Sequence, residues 1–134
     1  MPDPQESVRD ESIRAFLESY RAAWERRDLD ALLAMYDRPL LTLRLDGSLH
    51  CLQAEAEFRP FFSAALEGYI ATGYQTAELS VDRIAPAGRT AALVDVTWTL
   101  RSPAGTVVRT FRQTYNLRAN GSGWRIYAST QHVE

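Results

Sequence analysis

The chain contains no lysine. All fifteen of its basic residues are arginine, a compositional bias that keeps any single arginine from marking a site by its presence alone. A single cysteine, Cys51, excludes an internal disulfide, so oxidative cross-linking is no part of this fold. Two histidines, His50 and His132, are too few for a zinc site. His50 and Cys51 are also neighbours that would point to opposite faces of a strand, so no metal is expected. No apolar run approaches the roughly 20 residues needed to span a bilayer. The polar stretch Met1 to Glu6 lacks the basic and apolar blocks of a signal peptide, so the expected location is cytoplasmic. A net charge of -2 gives no reason to expect a nucleic acid or an anionic membrane surface as partner. Phosphate-binding loops, dinucleotide fingerprints and nucleophile elbows are all missing, and no cofactor is expected.

What is present reads as one domain of 134 residues, with 46% hydrophobic and 24% charged content in the range of ordinary globular proteins. Residues 1–6, with two prolines, are read as a frayed tail and 7–134 as the domain. From Ser7, taken as the N-cap, Ile13, Phe16, Leu17, Tyr20 and Trp24 recur at helical spacing. Asp28 caps a short second helix over Leu29 to Tyr36, which Pro39 terminates. Leu40 to Leu45 and Leu49 to Leu52 form a hairpin about Asp46-Gly47-Ser48. A third helix covers Glu55 to Thr72, with Pro60 awkward inside it and Gly73 as its stop. Glu55 and Glu57 read as first-turn residues favoured by the helix dipole.

Four stretches of period two follow. They are centred on Ala77–Val81, Val94–Leu100, Phe111–Leu117 and Trp124–Ala128, joined by short Pro/Gly/Asn turns that make consecutive strands antiparallel. The expected fold is therefore α+β, in the order α-α-β-β-α-β-β-β-β, with a curved antiparallel sheet wrapped around three helices as a cone.

Polar residues that share parity with the apolar ones carry the functional signal. Gln113 lies between Phe111 and Tyr115, His132 follows Trp124, Ile126 and Ala128 on the same parity, and Tyr20 lies in line with Phe16 and Trp24. Each also has a structural reading, since tyrosine commonly buries its ring, a glutamine can pair within a core, and a residue near the C-terminus is commonly exposed. Buried polar groups cost free energy unless hydrogen-bonded, and several converging on one concavity are what a ligand pocket needs.

The run Arg27-Asp-Leu-Asp-Ala-Leu-Leu-Ala-Met-Tyr36 resembles the second-helix signature of the nuclear transport factor 2-like, or cystatin-like cone, superfamily, including its SnoaL-like and ketosteroid isomerase-like members. The resemblance covers nearly the whole chain. It implies the cone fold and a homodimer formed through the outer, Thr-rich sheet face. It also places Tyr20 where the isomerase has its oxyanion-hole tyrosine, Gln113 where a protonated aspartate stands, and Arg44 where the catalytic base stands. The base is thus replaced, which leaves catalysis open.

Three expectations follow. In the first, the cone binds a small, largely apolar molecule between Trp24, Phe58, Phe62, Trp98, Phe111 and Tyr115, with Tyr20, Gln113 and His132 orienting a polar group and Arg44 facing an anionic one. In the second, it is an enzyme of isomerase, cyclase or hydrolase type with His132 as general base and Tyr20 and Gln113 as donors. In the third, it is a non-catalytic dimeric association module.

Overall fold

The computed structural model describes residues 4–121 and 123–134. Helix α1 (Pro4–Glu25) begins three residues before Ser7, within the expected tail. Proline is tolerated in the first helical turn because its missing N–H would have no intrahelical partner there. The periodic residues Ile13, Leu17, Tyr20 and Ala23 form its buried stripe. Two residues past the helix end, Arg27 takes a positive φ of 61° and donates from Nη2 to the Tyr74 carbonyl at 2.7 Å. Asp28 then caps α2 (Leu29–Leu33) as the sequence suggests, accepting the Ala31 N–H at 3.1 Å.

Tyr36 is not helical. It opens strand β1 (Tyr36–Leu43), which also contains Pro39, so that proline lies inside a strand and does not terminate a helix. Strand β2 (Leu49–Leu52) completes the hairpin, and Asp46 closes its turn by accepting from both the backbone and the hydroxyl of Ser48. Helix α3 (Glu55–Ile70) continues through Pro60. Its first turn is held by Glu57, which accepts the Ala54 N–H at 3.1 Å, while Glu55 pairs with Arg38 and Arg59. Phe58, Phe62 and Leu66 are its buried side.

Strands β3 (Thr76–Pro86), β4 (Ala91–Arg101), β5 (Val107–Asn120) and β6 (Gly123–Gln131) follow as expected, and one six-stranded sheet runs in the order β2-β1-β6-β5-β4-β3. All pairings are antiparallel except one. β1 lies parallel to β6, with Leu41 opposite Ala128 and Leu43 opposite Thr130. The helices cover the inner face, where Trp124 Nε1 donates to Ser12 Oγ at 2.9 Å and Arg21 reaches the Ala77 carbonyl at 3.0 Å. Among the described residues no helix is long and apolar enough to cross a membrane.

One irregularity decides what faces inward at the end of the chain. Asn116 pairs with Ala128 but the next residue, Leu117, pairs with Ile126, so Tyr127 is an extra residue on β6. A bulge of this kind reverses side-chain parity beyond it. Trp124 and Ile126 are buried before the bulge, and Ser129 and Gln131 after it.

Candidate functional site

A cavity opens between the concave sheet face and helices α1 and α3. Its blind end is made of tyrosines. Tyr20 comes from the α1 stripe, Tyr36 from the start of β1 and Tyr115 from the middle of β5, and all three are buried. The Tyr20 and Tyr36 hydroxyls bond each other, and Trp98 Nε1 donates to the Tyr115 hydroxyl at 3.0 Å. The rings meet edge to face, with the Tyr20 and Tyr115 centroids 5.4 Å apart.

The rim is formed by half-buried members, Trp24, Arg44, Ala65, Tyr69 and Phe111. Tyr69 and Phe111 stack with centroids 5.7 Å apart. Between rim and base lie Phe62, Trp98, Gln113 and Ser129. The space totals about 520 Å³ when counted out to its open mouth, of which about 30 Å³ is wide enough for the centre of a water molecule. It is a slit between aromatic faces, and any guest larger than a few waters has to part the rim.

Hydrogen-bond accounting separates the polar groups. Ser129 donates to Thr42 Oγ1 at 2.9 Å. Gln131, opposite Gln113 in the sheet, accepts the Leu45 N–H at 3.2 Å and donates to the Tyr69 hydroxyl at 3.4 Å. Gln113 differs. It is only 6% exposed, and its amide makes no hydrogen bond to the described residues. No buried side-chain nitrogen or oxygen among those residues lacks a partner, so the Gln113 amide must touch the cavity space itself.

Eight of the residues singled out from the sequence therefore stand on the wall. Tyr20 and Tyr115 form the base, Phe62, Trp98 and Gln113 the sides, and Trp24, Arg44 and Phe111 the rim. Two do not. Phe58 is fully buried behind the wall, 6.1 Å from Phe62 and 6.5 Å from Tyr36 between ring centroids, and it is core.

His132 lies on the opposite face of the sheet, because the bulge at Tyr127 turns its row outward. There its Nε2 meets Thr114 Oγ1 at 2.7 Å, and Thr114 in turn bonds Asp95 at 2.6 Å. The single proton of Thr114 goes to the carboxylate, so Nε2 must be the donor to Thr114. His132 is thus a partner in an outer-face network and not a base for the cavity. The Thr114 hydroxyl, and then Arg83, hold the Asp95 carboxyl below its ordinary range.

Tyr36, Tyr69 and Ser129 were not anticipated from the sequence. Tyr36 lies in a stretch that reads as helix, Tyr69 carries no signal that sets it apart within the third helix, and Ser129 lies on the wrong parity until the bulge is counted. No aspartate, glutamate or histidine is among the described wall residues.

Burial raises the Tyr20, Tyr36 and Tyr115 hydroxyls above the ordinary phenol value, Tyr36 and Tyr115 strongly. A group whose folded pKa is raised contributes stability that is complete below its unfolded pKa and is lost as pH climbs through the folded value. Ultraviolet titration is expected to show these three phenols staying protonated past roughly pH 10 and ionising together with unfolding. Smooth ionisation of all six tyrosines near pH 10 in folded protein would contradict the buried cluster.

A helix-backed, curved sheet with an apolar blind cavity defines the cone class of nuclear transport factor 2-like folds. The chain belongs to the family described as NTF2-like protein (DUF6841), whose model matches residues 9–134. Its structure is similar to an NTF-2 like protein of unknown function from Shewanella oneidensis, with a TM-score of 0.71 and 19% identity over 91% of this chain and 97% of that one. It is also similar to a domain of unknown function with a cystatin-like fold from Nostoc punctiforme, with a TM-score of 0.72 and 21% identity over 100% and 80% of the two chains. A ketosteroid isomerase-like protein from Erwinia carotovora atroseptica gives a TM-score of 0.67 at 16% identity, covering 92% and 96%. At such identities the likeness concerns the fold. No curated protein matches the chain.

Proposed function

We propose that this NTF2-like protein binds a small, largely apolar molecule in the cone and does not perform isomerase-type proton transfer on it. The observation that carries the reading is the Gln113 amide, which opens onto the cavity with no hydrogen-bond partner among the described residues. An amide in a packed core would cost free energy unless something supplied its hydrogen bonds. The aromatic wall offers area to a flat guest, and the neutral hydroxyls and amide orient it.

One observation favours a catalytic alternative, the tyrosine cluster at the blind end, whose hydroxyls could donate to a developing oxyanion. Proton transfer also needs a base in reach. Arg44 occupies the rim, His132 lies outside, and the described wall carries no carboxylate.

Native mass spectrometry of the protein as purified tests the binding reading. An adduct of a few hundred daltons that is lost in the Gln113→Leu variant is the expected result. A bare chain that also takes up no member of an aromatic fragment panel at millimolar concentration would overturn it.

The same reading has two copies of the chain meeting through the outer sheet face. There, exposed Leu41, Leu43 and Leu49 adjoin the polar row of Thr130, Thr114 and Asp95. Sedimentation at micromolar concentration should give twice the 15.1 kDa chain mass, and Leu43→Asp should shift it toward one. A wild-type monomer refutes the pairing.

A further inference from the structure

The sign of the cavity's electrostatics points to the ligand's charge. Arginines over most of the surface are matched to carboxylates, as Arg59 is to Asp30 at 2.8 Å and Arg83 to Asp95 at 3.0 Å. Arg44 is on the cavity rim, and among the described residues no carboxylate comes within bridging distance of it. Its guanidinium is instead held against the Phe61 ring, 5.3 Å from the centroid. A guanidinium lying on an aromatic face is positioned while its N–H edges stay free to donate.

A second unbridged arginine stands close to the same rim. Arg109 lies 5.2 Å from the Tyr69 centroid and 5.1 Å from that of Phe111, the stacked pair that borders the mouth. Two cations therefore flank an opening with no acid among its described wall residues.

The inner end has the same bias. The three tyrosine hydroxyls carry three protons, and the bond between Tyr20 and Tyr36 uses one. The Tyr115 oxygen is already an acceptor, from the Trp98 indole. Two hydroxyl protons are left for a neighbouring oxygen or for a guest, and the Gln113 amide adds two N–H donors beside them. The site is rich in donors along its length, which suits a guest that brings acceptors.

We infer that the ligand is a planar, mainly apolar anion, an aromatic or cyclic carboxylate whose ring lies between the aromatic walls and whose carboxylate stays at the mouth on Arg44. This inference rests on the binding reading above and goes further by fixing the guest's charge and orientation. The ring enters at the rim beside Tyr69, which packs on both Trp24 and Phe111, Gln113 meets any carbonyl or hydroxyl on the buried edge, and the carboxylate takes paired N–H bonds from the guanidinium. Arg109 adds a longer-range attraction that salt screens.

The test uses a matched pair of probes, 2-naphthoate and 2-naphthamide, which share a ring system and differ in charge. Binding to the full chain is measured by calorimetry and by shifts of the indole N–H resonances of Trp24 and Trp98. The naphthoate is expected to bind ~10- to 100-fold more tightly than the amide, the range of a charge-assisted hydrogen bond. Arg44→Gln should remove that preference while leaving the melting temperature near wild type, and Arg109→Gln should reduce it partly.

Equal affinity of the two probes would overturn the anion assignment while leaving the pocket standing, as would a preference that survives in Arg44→Gln. If neither probe binds and no neutral fragment does, the binding reading itself falls.

Discussion

The Phe58→Ala variant should lose about 3–5 kcal/mol of unfolding free energy, the range for deleting a fully buried aromatic ring. Phe58 is 0% exposed and packs against Tyr36 and Phe62, with Arg38 over its face at 5.1 Å. Its removal leaves a hole that helix α3 cannot close without shifting relative to β1. For a chain of this size the melting midpoint should fall by roughly 10 °C or more. The Phe111→Ala variant gives the contrast, because Phe111 borders an existing opening and is partly solvated. It should cost about half as much and widen the mouth. Urea unfolding of both variants checks the assignment, and a loss below about 1 kcal/mol for Phe58→Ala would place that ring on the wall.

The second large effect concerns the paired hydroxyls. Tyr20→Phe removes one partner of a buried bond and leaves the Tyr36 hydroxyl to find another at the blind end of the cavity. The desolvation penalty of an orphaned hydroxyl is about 1–3 kcal/mol. Tyr36→Phe should cost a similar amount for the same reason. Removing both hydroxyls deletes the unsatisfied group along with the bond, so the double variant should lose clearly less than the sum of the single losses. A double-mutant cycle by urea unfolding reads that coupling, and strict additivity would mean the hydroxyls do not depend on each other.

Much of this arrangement was legible in the sequence because period decides which side chains point inward. The 3.6-residue spacing of Ile13, Leu17 and Tyr20 and the alternation of Phe111, Gln113 and Tyr115 each hold in the structure. Tyr36 reads as helical because Leu32, Leu33 and Met35 continue into it at helical spacing. What draws it into the sheet is long-range, the Ile126 N–H donating to the Met35 carbonyl at 3.0 Å and Tyr36 lying opposite Ile126. The parallel seam between β1 and β6 is hidden for a similar reason, since short turns report only on strands adjacent in sequence.

His132 failed differently. Both parities at the end of β6 carry polar side chains, Thr130 and His132 on one and Ser129 and Gln131 on the other. Hydrophobicity could not choose between them, and Tyr127 carries no glycine or proline signal for the extra residue.

That extra residue works like a shift of reading frame in the last strand. With Tyr127 counted, Ser129 reaches the wall and Gln131 turns inward to bond Leu45 and Tyr69, neither of them a base. With one residue deleted there, the outward row would turn in, and the imidazole of His132 would follow Thr130 toward the cavity. One residue in β6 thus decides whether the inward row ends in Gln131 or in His132.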